Sequence, residues 1–218
     1  MNIWLFAWVV IAVFIIGVFF WSMQILFQQK KAWKRLAKSL GLEYSEQALF
    51  KSPVVEGQYK GYSVVLYSEE QPTTNAGRNQ FRTILLLGFQ EGFPTGIAVA
   101  SSGRRAFIES LKVEHAHKPD FKDWNGSTVF HTEDDDVCTK FMNADRYGAL
   151  HKLMNLKNKD TILIVDDKEG YYRIETTDPL LDVDVVEKML NKFTATCDVI
   201  RPVAADKKLF PKKDSKSS

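Results

Sequence analysis

The chain has 218 residues, 45% of them hydrophobic, with a net charge of +2 and two cysteines, Cys138 and Cys197. That length suits one compact domain beside a membrane segment, and two cysteines give no disulfide framework, which fits a reducing compartment. Residues 1–27 carry no charged side chain, 28–40 carry +5 and 199–218 carry +4, so the body, 41–198, holds −7, a layout that excludes a nucleic-acid-binding domain with positive charge concentrated on its own surface.

Ile3 to Phe27 has no charged residue, and apart from its tryptophans its only polar side chains are Ser22 and Gln24. As a helix it would span about 37 Å at about 1.5 Å per residue, enough to cross a hydrocarbon core about 30 Å thick with tilt or overhang. Trp4 and Trp8 near one end and Trp21 near the other suit the two interfaces, where an indole ring is apolar on one side and wet on the other. A cleaved signal peptide is the competing reading. It would need a basic start, a shorter apolar run and a small-residue cleavage site, and none of these is present. Residues 1–29 are therefore expected to be an uncleaved transmembrane anchor. The basic residues flank only its C-terminal side, so the N-terminus is expected outside and the rest cytoplasmic, in a cell (inner) membrane.

Residues 30–41 are expected to continue as a basic amphipathic helix. Trp33, Leu36, Ala37 and Leu40 recur on one stripe, and Gly41 supplies the stop. Lys30, Lys31, Lys34, Arg35 and Lys38 are expected to face lipid headgroups. Residues 42–198 then form the cytoplasmic domain. Val54–Tyr59 and Tyr62–Tyr67 flank Lys60-Gly61 as a hairpin. Gln71–Gln80 is a polar loop, Phe81–Phe89 a buried strand and Ile97–Ala100 a short one. Ala106–Leu111 reads as a helix with Phe107, Ile108 and Leu111 inward, residues 112–126 as loop and Ser127–His131 as a strand.

Asp134, Asp135 and Asp136 open a helix, where carboxylates suit the positive end. Asn143–Asp145 bends the chain into a second helix ending near Leu156. Thr161–Val165 and Tyr171–Glu175 form another hairpin. Asp178-Pro179 resembles an N-cap and first helical position, before a closing helix with Val186, Met189, Leu190, Phe193 and Cys197 inward. The order implies an α+β fold with a mainly antiparallel sheet and packed helices. Residues 199–218 read as a basic, disordered tail whose Lys207, Lys208, Lys212 and Lys213 could touch a membrane surface.

Chemistry has thin support. His115, His117 and Asp120, or His131 and Glu133, could supply metal ligands, but solvated loop histidines explain them better, and no cofactor or metal is expected. The acidic run from Glu133 to Asp136 lacks the alternation and glycine of a calcium loop. Cys138 could act with His131 only if the fold joined them. The Asn125-Gly126-Ser127 sequon has no role on a cytoplasmic face. No nucleophile elbow, phosphate loop or dinucleotide fingerprint occurs.

Trp33-x2-Leu36-Ala37-x2-Leu40-Gly41-Leu42, followed by Val55-x-Gly57-x-Tyr59-x-Gly61, resembles a loose group of uncharacterised bacterial single-pass membrane proteins. The resemblance implies no known activity and carries over no catalytic residues. The expected function is a membrane-tethered cytoplasmic binding or scaffold module, with the lipid bilayer and another membrane or cytoplasmic protein as partners. The alternatives are a membrane-proximal enzyme acting on a small molecule or lipid headgroup, and a sensor of surface charge.

Overall fold

A computed structural model describes residues 3–72, 79–111, 113–124, 126–203 and 206. Its first half runs α1 (Ile3–Leu40), β1 (Glu43–Ser45), β2 (Val54–Tyr59), β3 (Tyr62–Pro72), β4 (Asn79–Phe89), β5 (Ile97–Ala100), α2 (Arg105–Ser110) and β6 (His115–Ala116). Then follow β7 (Val129–Thr132), α3 (Asp135–Phe141), α4 (Ala144–Met154), β8 (Asp160–Val165), β9 (Gly170–Thr176) and α5 (Val183–Ile200). The fold is α+β. The strands form one nine-stranded sheet in the order β1-β2-β3-β4-β9-β8-β5-β7-β6, antiparallel at every neighbouring pair.

Side chains alternate across the sheet. In register, Val55, Leu66, Leu85, Ile174 and Thr161 make one row, and Gly57, Val64, Leu87, Tyr172 and Leu163 the next on the same face. The main core forms there, with Trp33 and Leu36 of α1, Phe141 of α3, Leu150 of α4 and Leu190 and Phe193 of α5 packed onto the strands. Each such side chain stabilises the fold by roughly 1.5–3 kcal/mol through burial. The opposite face carries the intervening residues, among them Val65, Tyr67, Glu69, Arg82, Leu86, Tyr171, Arg173 and Glu175. At one end of it, Ile108 of α2 closes a smaller cluster with Ala98, Ala100, Val129 and Ile162.

Local chemistry explains the ends of these elements. At the α1 stop, Gly41 takes φ +68°, and the Leu42 N–H donates to the Ala37 carbonyl at 2.8 Å, a left-handed C-terminal cap. In the β2–β3 turn both Lys60 and Gly61 have positive φ, 52° and 82°, the geometry that matches the twist of a two-residue hairpin. Asp134 and Asn143 cap α3 and α4 by accepting the backbone N–H groups of Val137 and Arg146.

Several expectations need correction. The predicted loop at Gln71–Gln80 is shorter, because Gln71 pairs with Gln80 and Pro72 with Asn79 in the β3–β4 ladder; residues 73–78 lie outside the described residues. The stretch 112–126 contains the edge strand β6, which pairs with β7. Phe107 is 41% exposed rather than inward, since the α2 helix is too short to bury more than Ile108. The closing helix starts at Val183, capped by Asp182 rather than Asp178. At the C-terminal end, α5 continues through a buried Ile200, Arg201 pairs with Glu91, and Asp206 pairs with Arg146. Those residues belong to the packed body, so no free tail begins at 199.

Candidate functional site

α1 is a single unbroken helix with two different surroundings. Its N-terminal part has a mean hydropathy of 2.8 over 18 residues, none of them buried, so one helix is long and apolar enough to cross a membrane. Trp4, Trp8 and Trp21 point outward, 73%, 69% and 68% exposed. From Gln29 on, the helix enters the domain, and Gln29, Lys30, Ala32, Trp33, Leu36 and Ala37 are all buried. The Gln29 amide donates to Ser68 Oγ at 3.1 Å and to the Pro179 carbonyl at 3.2 Å. Trp33 is wholly buried and donates its indole N–H to the Leu180 carbonyl.

Lys30 departs from its expected role. It is 7% exposed, pairs with Glu46 at 3.3 Å and donates to the carbonyls of Ala48 and Leu49, so it faces the domain rather than lipid. Lys31, Lys34, Arg35 and Lys38 are exposed. On an unbroken helix they climb away from Phe27 by about 6, 10, 12 and 16 Å, which leaves Lys31 nearest any headgroups. Lys34 also lies over the Tyr44 ring at 5.9 Å. Lys207, Lys208, Lys212 and Lys213 lie outside the described residues.

The histidines do not behave as a set of solvated loop residues. His117 is buried, with Nδ1 at 2.5 Å from Asp135 Oδ1 and Nε2 at 2.7 Å from the Tyr147 hydroxyl. Burial pushes the Tyr147 phenol up to about 12, with Cys138, Asp135 and Asp120 adding to the effect. The phenol therefore keeps its proton, and the imidazole is held between that hydroxyl and the Asp135 carboxylate. Phe121, Trp124 and Phe130 fill the space around the pair. The arrangement fastens the loop before β7 to α3 and α4. His115 is exposed on edge strand β6, and His131 sits on the other face from the main core, 3.4 Å from the Val113 carbonyl. Among the described residues no group of three or more His, Cys, Asp or Glu is placed to hold a metal.

Cys138 lies in the main core, fully buried, and does not meet His131. Burial pushes its thiol up to about 12, a Thr132 hydrogen bond works the other way, and Asp135 and Asp134 add to the rise. Cys197 is likewise raised to about 12, chiefly by burial. Neither offers a thiolate at neutral pH. Asp134 serves as a helix cap, and Asp136 is exposed.

A charged lattice with no local signature occupies the opposite sheet face. Glu175 is 1% exposed and is held by Arg104, by Arg173 at 2.7 Å and by Arg82 at 3.9 Å. Arg82 also pairs with Asp160 at 2.5 Å, and Arg173 with Glu69 at 2.9 Å. Three guanidinium groups thus meet three carboxylates, and the lattice is internally neutralised. Its members are spread over β3, β4, β8, β9 and the turn before α2, which is why no local motif announces it. At the far end of that face Gln58, Ser63, Gln90, Glu91 and Arg201 line a polar notch of about 320 Å³, closed on one side by the Arg201–Glu91 pair.

No family model, curated protein or solved structure matches the chain.

Proposed function

We propose that this protein is a membrane-tethered module whose domain lies on the cytoplasmic side and binds another protein or organises a membrane complex. The observation that carries this reading is the continuity of α1. The helix passes without a break from an exposed apolar stretch to Trp33 at the centre of the domain core. An element buried in the core cannot swing freely, so the domain would be held in a fixed pose against the bilayer. The one-sided basic flank supports a cytoplasmic placement. The resemblance to bacterial single-pass membrane proteins is in keeping with it.

A binding role is favoured over catalysis by the same details. The one buried histidine–carboxylate contact among the described residues is packed with aromatic rings, and both thiols are sequestered. The sheet face away from the main core offers a surface instead, with Val65, Tyr67 and Leu86 half-buried and Tyr171 36% exposed.

Paired C-terminal fusions test the topology. A cytoplasm-dependent fluorescent reporter should be bright and an export-dependent phosphatase silent; the reverse would sink the orientation. Photo-crosslinking residues at Tyr67, Leu86 and Tyr171 test the binding role in living cells. A discrete protein adduct is expected, and repeated absence of one at all three positions would count against the reading.

A further inference from the structure

Outside α1, the three most exposed large apolar side chains among the described residues are Phe81, Phe50 and Leu49, at 67%, 64% and 58%. They come from different parts of the chain, yet they share one end of the domain. The segment bearing Leu49 and Phe50 wraps α1 just where the helix enters the fold. Lys30 donates to the Leu49 carbonyl at 3.1 Å, and Ser52 Oγ donates to Gln29 Oε1 at 3.1 Å. Phe81 pairs with Glu70, two residues along β3 from Ser68, the residue that binds Gln29.

The direction of α1 fixes the level of these residues. Leu42 packs at Gly57, the partner of Val64, while Gln29 packs at Ser68. Going back along α1 from Leu42 to Gln29 thus moves along β3 from Val64 toward Ser68. Two further strand residues reach Glu70 and Phe81, about 7 Å on, a rise equal to about 4–5 helical residues. Phe81 therefore stands level with the stretch just before Phe27. The apolar part of α1 is about 7 Å longer than a hydrocarbon core of about 30 Å, so that stretch falls in the interface zone if the helix stands upright.

We propose that Leu49, Phe50 and Phe81 form a lipid-seating edge, by which the domain itself dips into the headgroup–acyl boundary beside α1. The occupant is the same bilayer that holds the helix, so this inference rests on the anchoring reading above. The edge lies where α1 enters the domain, next to the end of its exposed apolar stretch, and burying it in the interface removes apolar area from water. Among the described residues, exposed charges at this end come in both signs, Lys31, Lys51 and Lys157 against Glu46, Glu70 and Asp178. The contact is therefore apolar in character and insensitive to salt.

Full-length protein in lipid nanodiscs, spin-labelled at single introduced cysteines, tests it; the native Cys138 and Cys197 are buried and stay unlabelled. The sites are Phe50→Cys and Phe81→Cys on the edge, Lys168→Cys in the turn at the opposite end of the sheet, and Phe14→Cys within the apolar helix. At 50 and 81, collision with oxygen should exceed collision with a water-soluble nickel chelate at low and high salt, with the order reversed at 168. If 50 and 81 match 168 while 14 still reads as lipid, the edge is overturned and the anchor stands. Closure of 50 and 81 to both reagents would mean a protein occupant and would also overturn it. If 14 reads as aqueous, the anchoring reading falls and takes this inference with it.

Discussion

The indole N–H of Trp33 donates to the backbone carbonyl of Leu180 at 3.2 Å, joining residues 147 positions apart. Leu180 presents that carbonyl from a left-handed conformation, φ +54°, held by the Asp178 carboxylate, which accepts the Leu180 N–H at 2.8 Å. This bond, beside the one from Gln29 to the neighbouring Pro179 carbonyl, ties the apolar helix to the segment leading into α5.

Replacing Trp33 should therefore loosen the whole domain. Trp33→Ala should cost about 3–5 kcal/mol through lost packing. Trp33→Phe keeps most of the ring but strands the Leu180 carbonyl, and should cost about 1–3 kcal/mol. Denaturant titration of detergent-solubilised protein, followed by near-ultraviolet circular dichroism, reads both. An unchanged midpoint for Trp33→Ala would show that α1 is not part of the core.

Glu175 is the acid shared by three arginines; its neutralisation leaves Arg104 without a carboxylate, while Arg82 keeps Asp160 and Arg173 keeps Glu69. Glu175→Gln should destabilise by about 1–3 kcal/mol, the cost of weakening a buried charged hydrogen-bond network whose other carboxylates remain. Arg82→Met should cost less, because Arg104 and Arg173 still serve the carboxylate. The same titration compares them, and a milder effect at Glu175 than at Arg82 would contradict the assigned hub.

Asp166 sets the β8–β9 turn. Its carboxylate accepts the N–H groups of Lys168 at 2.7 Å and Glu169 at 2.8 Å. Hydrogen bonds from the Glu169 and Lys168 backbone hold its carboxyl below the ordinary 3.8. A depressed acid contributes stability above its unfolded-state value and loses it as pH falls through the folded-state value. The stability gap between wild type and Asp166→Ala should stay constant at neutral pH and shrink once pH drops below 3.8. Thermal melts across that range check it, and a gap that widens in acid would refute the sign.

Both thiols should resist modification in the folded protein. With Cys138 and Cys197 each raised to about 12 and buried, Ellman's reagent at about pH 8 should find no reactive thiol in native protein and two in denaturant, since an ordinary cysteine titrates near 8.5. Rapid native labelling of Cys138 would reopen a nucleophilic role.

Periodic segments were legible from sequence. Val54–Tyr59, Ile97–Ala100 and the apolar stripe of α5 carry their own pattern, and the helix stop at Gly41 follows from backbone sterics. What escaped depends on partners distant in sequence. His117 gains its meaning from Asp135 and Tyr147, 18 and 30 residues away; the only local sign was the density of aromatic residues around it. Lys30 sits in a basic run that reads as facing lipid headgroups, yet it lies three residues before Trp33 on the buried side of the helix. Asp178 and Asp182 both precede apolar residues, and only the left-handed turn at Leu180 decides which of them caps α5.

The strand order has a consequence for biogenesis. The hairpin of β8 and β9 fills the centre of the sheet, between β4 and β5, yet it is synthesised after every other strand. Until about residue 176 emerges, the earlier strands expose two unpaired edges, one on β4 and one on β5. The apolar helix is made long before that point. On the anchoring proposed above, delivery to a bilayer can precede closure of the sheet, and the half-finished edges would wait beside the membrane rather than free in solution, where they could meet copies of themselves.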